Sequence, residues 1–292
     1  MKIIDAVTFG TEALRTGFSR NAGPNDEREI TSNVHIMLST LLKMSVSDLK
    51  LNSSKELRSD QEKTFNRWIE RRLALEPVQY ITKETEFWSL PMQVGEGVLI
   101  PRQDTETLVA EVKKHFTDDK KEYLFLDMCC GSGCIGISLL TIFPNSNVVF
   151  TDKYPKPLEY TNKNIELHHL KGRSTVITSD MFNDLSEKYM EKFDAIVCNP
   201  PYIPDEELKS LSMQITLFEP LEALKAGNNG LKFHNIIADQ ASKYLKPSAP
   251  LFLEIGYNQR QESRALFESK GWRGLKVVKD VTGNPRVLIA RP

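Results

Sequence analysis

From Tyr123 to the end of the chain, short apolar runs alternate with stretches of helix length, and few folds accept that pattern. The runs are YLFLDM (123–128), NVVFTD (147–152), STVITSD (174–180), FDAIVC (193–198) and PLFLEIG (250–256). They are β-branched and nearly continuous, as strands covered on both faces of a parallel sheet must be, with helices as the crossovers. A doubly wound α/β domain is expected. The last two runs, LKVVKDV and RVLIAR, are separated only by TGNP, so they form a hairpin and the final strand runs antiparallel.

Before residue 85 the pattern is different. Val34, Met37, Leu38, Leu41 and Leu42 recur at three- and four-residue spacing, as do Phe65, Ile69 and Leu73, which is the signature of amphipathic helices. Ser59 with Glu62 reads as a capping box at the start of one of them. The segment EFWSLPMQVGEGVLI (86–100) sets Pro91, Gly95 and Gly97 between short apolar runs, as a hairpin or extended linker would. The expected organisation is a small helical domain over 1–85, a hairpin or linker over 86–104 and the α/β domain over 105–292.

Composition excludes several function classes. A net charge of −1 over 292 residues lacks the surplus of Lys and Arg that sequence-independent phosphate binding requires, so no direct nucleic-acid partner is expected. No apolar run approaches the ~18 residues of a membrane span, and the start lacks a signal-peptide apolar stretch. A cytoplasmic monomer is expected; Arg15 and Arg20 leave an organelle address open, and Asp5 and Glu12 count against it. Cys129, Cys130, Cys134 and Cys198 include no CxxC pair and read as reduced, buried apolar residues rather than metal or redox ligands. The adjacent His168 and His169 read as a solvated helix end, and no metal site is expected.

After the first strand comes LDMCCGSGCIGIS, in which Gly131, Gly133 and Gly136 spell GxGxxG. Such a loop lets the backbone turn sharply against a ligand while the following helix points its N-terminal amides at it. Asp152 ends the next strand about 20 residues on, where an acid accepts both hydroxyls of a ribose. That arrangement serves NAD and S-adenosylmethionine (SAM) alike. Three features favour SAM. Asp127, at the end of the first strand, can hold the loop or a sulfonium cofactor's methionine part. Asp180, at the end of the third, can accept from an adenine amino group with Met181 and Phe182 as apolar cover, or can cap a following helix.

The third feature is Asn199-Pro200-Pro201-Tyr202, which stops the fourth strand. Neither proline can donate to a β ladder. A planar amide or aromatic amino nitrogen is a poor nucleophile because its lone pair is delocalised. Two acceptors on its N–H groups, the Asn199 side-chain oxygen and the Pro200 carbonyl, would orient it toward an electrophilic methyl group, and Tyr202 would offer a flat face.

These segments carry a family resemblance. LDMCCGSGCIGIS, NPPYIP, IPRQDTETLV (100–109), FEPLEALKAGNNGLKFHNII (218–237), LEIGYNQ (253–259) and KDVTGNPRVLIAR (279–291) resemble the HemK/PrmC family of peptide chain release factor N5-glutamine methyltransferases, and RRLALEPVQYITKETEFWSLPMQV (71–94) is similar to its inter-domain region. The resemblance implies a class I SAM-dependent methyltransferase fold, Rossmann-like, with a mostly parallel seven-stranded sheet and an antiparallel last strand. It implies methylation of the Gln side chain in the Gly-Gly-Gln motif of class I release factors, with S-adenosylhomocysteine as the other product. By it, cofactor contacts fall on Cys129, Cys130, Gly131, Ser132, Gly133, Asp152, Asp180 or Met181, and Asn199, beside Asp127. The substrate loop falls on Asn199, Pro200, Pro201 and Tyr202, and the helical domain helps engage the release factor. Two departures stand out: Cys129-Cys130 where the family has Gly-Thr, and Gln103-Asp104 where it has Pro before the acid. Other readings are an N6-adenine or N2-guanine methyltransferase, a NAD-dependent oxidoreductase, and a non-enzymatic SAM-binding relic.

Overall fold

The computed structural model describes residues 1–21 and 26–292. Residues 22–25 of the expected helical domain, and the side chains of Arg20 and Asn21, lie outside the described part. The chain divides into two compact units, Met1–Glu84 with Leu211–Glu219, and Thr85–Ser210 with Pro220–Pro292.

The first unit is helical, with α1 (Ile3–Asn21), α2 (Glu27–Leu42), α3 (Val46–Leu51), α4 (Ser59–Leu73) and α5 (Val78–Thr82). Asp26 opens α2 by accepting from the Arg28 amide, and a Ser45–Asp48 capping box opens α3. The residues at three- and four-residue spacing, among them Val34, Met37, Leu38, Phe65 and Ile69, form its core. The capping box expected at Ser59 is displaced. Ser59 is already helical, the Gln61 side chain accepts from the Arg58 amide at 3.0 Å, and Glu62 instead pairs with the N-terminal amine at 2.9 Å.

Among the described residues, one cation is buried in this unit. Arg72 is 1% exposed; its guanidinium bonds Asn33 and, at 2.7 Å, Gln214 on the short helix Met213–Phe218, and lies 4.8 Å from the centre of the Phe18 ring. Burial lowers its pKa to about 10, which leaves it charged at neutral pH. These contacts explain why Leu211–Glu219 belongs to the helical unit although it lies far along the chain.

Next, β1 (Glu84–Phe87) and β2 (Leu90–Gln93) pair as a two-stranded sheet. Its turn falls on Trp88 and Ser89, both at positive φ, and not on the expected turn residues. Pro91 stands inside β2, where a two-stranded sheet leaves an outward edge that needs no donor.

The second unit continues with α6 (Glu106–His115), β3 (Leu124–Met128), α7 (Cys134–Ile142), β4 (Asn147–Asp152), α8 (Pro155–Leu167), β5 (Ser174–Thr178) and β6 (Ala195–Cys198). The helix Met213–Phe218 of the first unit is α9; then follow α10 (Lys232–Gln240), β7 (Leu251–Glu254), α11 (Arg260–Ser269), β8 (Arg273–Lys279) and β9 (Pro285–Arg291). The seven strands lie in the order β5-β4-β3-β6-β7-β9-β8. All neighbouring pairs are parallel except those made by β9, which is antiparallel to both β7 and β8. This is the class I methyltransferase sheet that the resemblance implies.

Alternation along the strands sends side chains to both faces. Phe125, Ala195 and Val197 enter one core with α6 and α7, while Leu126, Met128, Ile196 and Cys198 enter the other with α10 and α11. Among the described residues, no helix is long and apolar enough to cross a membrane. Phe125 is fully buried and packs with Phe116, Tyr123 and Phe143 at ring-centre distances of 5.3–5.6 Å. Phe125→Ala is therefore expected to destabilise the sheet unit by about 3–5 kcal/mol; an unshifted urea midpoint for that unit's transition would contradict this packing.

Candidate active site

Two loops begin side by side because β3 and β6 are neighbours and Met128 pairs with Cys198 in register. The first, Cys129 to Gly133, leads from β3 into α7. Cys129, Gly131 and Gly133 take φ values of 56°, 57° and 78°. Only Cys129 carries a Cβ into that left-handed region, which costs roughly 1–2 kcal/mol. Its conformation is held by its neighbours. The Cys130 amide donates to the Thr151 carbonyl at 3.0 Å and the Gly131 amide to Asp152 Oδ2 at 3.1 Å. From α8, Thr161 donates to the Gly131 carbonyl at 2.8 Å and Asn164 to the Ser132 carbonyl at 3.0 Å.

The third glycine has a different task. A Cβ on Gly136 would meet the Phe150 ring at 2.3 Å, so α7 rests directly on β4. That close approach lets the Gly136 amide donate to Asp127 Oδ2 at 2.8 Å. Asp127 is fully buried and its other oxygen has no partner; burial pushes its pKa up to about 7. Burial also raises Asp152, against hydrogen bonds from the Tyr154 and Gly131 amides.

The loop after β5 places Asp180 and Met181 next in line. Asp180 binds Lys153 at 2.8 Å, and the residues directly after it form a turn rather than a helix, so it caps none. Met181 is at positive φ, with its sulfur 3.9 Å from that of Cys129. Phe182 departs from its expected place as apolar cover: it is 2% exposed and stacks on Tyr244 in the core.

The second loop is Asn199 to Tyr202, with all peptide bonds trans and both prolines buried. Asn199 donates its side-chain Nδ2 to Thr105 Oγ1 at 3.2 Å, which leaves the side-chain oxygen to accept from a ligand. The Tyr202 hydroxyl donates to Glu254 Oε1 at 3.2 Å, and its carbonyl accepts from Gln259 at 2.8 Å. Arg286 reaches the Tyr202 hydroxyl at 3.5 Å and pairs with Asp104 and Asp280 at 3.0 and 3.1 Å.

Sequence reasoning missed the residues beneath these loops. Thr105, Glu254, Gln259 and Arg286 lie in segments quoted for the resemblance, and their signal was position at the end of an element rather than residue type. All four cysteines are free thiols; Cys130, Cys134 and Cys198 are buried and Cys129 is half-buried.

Comparison with known proteins decides the family. Residues 103–255 match the family described as Methyltransferase small domain and residues 12–82 the PrmC N-terminal domain. A release factor glutamine methyltransferase of Thermodesulfovibrio yellowstonii is 39% identical over 80% of this chain and 83% of its own length. The chain belongs to the HemK/PrmC family. A second relative, the release factor glutamine methyltransferase of Clostridium botulinum, is 32% identical over 88% of this chain and 90% of its own. A methyltransferase structure from Pyrococcus furiosus shares the fold, with a TM-score of 0.51 at 17% identity over 77% of this chain and 98% of that one.

This HemK/PrmC chain keeps an acid in its core at a measurable cost. Asp127 ionises near 7 when folded and near 3.8 as a free carboxyl. Between those values the native state binds more protons than the unfolded one, so this group's penalty grows as pH rises from about 4 to about 7. Asp127→Asn is expected to be the more stable protein at pH 8, by up to about 4 kcal/mol at 1.36 kcal/mol per unit. The gap should narrow toward pH 4; equal urea midpoints at pH 8 would contradict this reading.

Proposed function

We propose that this chain transfers a methyl group from SAM to the side-chain amide nitrogen of the Gln in the Gly-Gly-Gln motif of class I peptide chain release factors. The observation that carries the reading is Asn199. It ends a buried parallel strand beside the glycine loop, its nitrogen is engaged by Thr105 and its oxygen is left to accept. The names of the Thermodesulfovibrio and Clostridium relatives support the same substrate.

The residues present fit SAM. Asp127 keeps a buried carboxylate oxygen without a partner, and the Cβ position of Gly131 meets only Val98, at 3.9 Å, so a ligand can approach the backbone there. Cys129 to Gly133 and Asp127 would hold the methionine part, Asp152 the ribose hydroxyls, and Asp180 with Met181 the adenine. When bound, SAM supplies an electrophilic methyl group on a positively charged sulfur.

The work of the chain is orientation. Asn199 Oδ1 and the Pro200 carbonyl accept the two N–H bonds of the target amide, and Tyr202 offers its ring face to the amide plane. The two prolines stiffen the loop that presents these acceptors. Holding nitrogen and methyl in line can supply about 7–11 kcal/mol of the barrier in favourable cases. The methylated nitrogen becomes acidic and gives up a proton without a strong base. The helical unit would engage the body of the release factor.

Transfer of labelled methyl from SAM to a release factor with its motif intact, and none to a factor with that Gln changed to Ala, is the expected result. Label on neither factor, with transfer to DNA or ribosomal RNA, would redirect the chemistry to a base. Asn199→Ala is expected to lose about 10²-fold or more in turnover with a smaller loss of SAM affinity. Asp152→Ala is expected to weaken SAM chiefly, by about 10- to 100-fold; unchanged affinity by calorimetry would remove it from the ribose site.

A further inference from the structure

We propose that Gln259 and Gly230 are positioning residues for methyl transfer: the Gln259 carboxamide, reaching the Tyr202 carbonyl past a glycine that leaves it room, latches the Asn-Pro-Pro-Tyr loop to β7 and α11. The proposal rests on the function given above and adds two residues to it.

The loop is poorly equipped to hold itself. Two of its four residues, Pro200 and Pro201, have no main-chain N–H, so it lacks donors with which a turn ties its own ends together. Its main chain has to be held through carbonyls, by donors brought from outside. One of those carbonyls, on Pro200, is wanted for the substrate amide. The anchor must fall elsewhere.

It falls on Tyr202, whose carbonyl accepts from Gln259 Nε2 at 2.8 Å. Gln259 is 5% exposed and opens α11. Its Oε1 accepts from the Gly256 amide at 2.9 Å, and Nε2 also donates to the Gly230 carbonyl at 3.3 Å. All three partners are main-chain groups with fixed roles, one amide that only donates and two carbonyls that only accept. Turned over, the carboxamide would set donor against donor and lone pairs against both carbonyls, so its direction is determined. Gly256 follows the end of β7 by two residues, and β7 is the parallel neighbour of β6. The loop that leaves β6 is thereby tied to the next strand of the sheet.

Gly230 makes the latch possible. It is buried with a φ of 71°, and a Cβ there would lie 2.4 Å from Gln259 Nε2 and 2.5 Å from the Tyr202 carbonyl oxygen. One methyl group would occupy the point at which the three residues meet. The chain just past Tyr202 is tied to the segment ahead of Gly230: the Ile203 amide donates to the Leu224 carbonyl, and the Ala226 amide to the Ile203 carbonyl, both at 2.9 Å. At its far end the Tyr202 hydroxyl donates to Glu254 at 3.2 Å. Tyr202 is therefore fixed at both ends, which sets the plane of its ring and the place of Pro200 two residues before it. A loop displaced by a fraction of its bond lengths would lose the alignment of nitrogen and methyl on which turnover depends.

The test compares wild type with Gln259→Met, Gln259→Glu, Gly230→Ala and Gly271→Ala. Gly271 has a φ of 85° and nothing within 4 Å of its Cβ position, so its variant carries the strain of a positive φ without touching the loop. Gln259→Met and Gly230→Ala are each expected to lose at least about tenfold in kcat with SAM affinity within about threefold, while Gly271→Ala keeps the wild-type kcat. Gln259→Glu sets a carboxylate against two carbonyls, and its kcat relative to wild type should rise as pH falls from about 8.5 to about 6, because protonation returns one donor. A further readout needs no substrate. The side-chain NH2 protons of Gln259, assigned by their loss in Gln259→Met, should exchange with solvent at least about tenfold more slowly than those of the exposed Gln261, and Gly230→Ala should abolish the difference. Gln259→Met or Gly230→Ala within about twofold of wild type in kcat, a Gln259→Glu ratio that does not rise, or Gln259 protons that exchange as fast as those of Gln261 would each overturn the latch. If wild type fails to methylate the release factor, the proposed function fails, and the exchange comparison still decides whether Gln259 holds the loop.

Discussion

The site depends on one register. Met128 and Cys198 are partners across two parallel strands, so β3 and β6 end at the same level and the loops that follow them start as neighbours. The chain builds outward from β3 through β4 to β5, then returns to lay β6 on the other flank. That reversal opens a crevice at the carboxyl ends of the strands, where ligands of open α/β sheets are bound. A slip of one residue in β6 would send Val197 to the wrong core and move Asn199 away from both the glycine loop and Thr105.

The central strands β3, β4, β6 and β7 were legible in the sequence because they are buried on both faces, which leaves little room for any residue except a small set of apolar ones. Asn147–Asp152 is the clearest case: the strand begins and ends where the run read from the sequence does. Asn199 and the glycines were legible for the opposite reason, as residues that make poor strand or helix interiors and need another purpose. Polar partners were not legible. Glu254 reads as the end of an apolar run, and Thr105 as one hydroxyl among charged residues; only the tertiary structure places Thr105 beside Asn199, 94 positions away along the chain. Ser59 shows the same limit at a helix start, since the helix begins one residue earlier than the local pattern suggests and Glu62 pairs with an amine 61 positions away. Trp88 and Ser89 form their turn without a glycine, so no residue type announced it.

The carboxyl ends of the strands also hold the chain's least comfortable charges. Asp127, Asp152 and Glu254 each end or nearly end a strand, and burial raises all three. The sheet unit can carry such groups because its core is large, with phenylalanines at 125, 143, 150, 193 and 252 fully or almost fully buried. The strain at Cys129 belongs with them, as stability surrendered where, on the proposed reading, the cofactor is held.

The Asn-Pro-Pro-Tyr loop has a consequence for the number of methyl groups added. On the proposed reading it offers two rigid acceptors, one on the Asn199 side chain and one on the Pro200 main chain, and both require an N–H. An unmodified glutamine fills both. A monomethylated one has a single N–H left, so one acceptor would face a carbon and stay unpaired in a buried place, a loss of about 1–3 kcal/mol. On that reading the geometry that recruits the substrate is one that its own product no longer satisfies, and a second methyl transfer to the same glutamine is disfavoured.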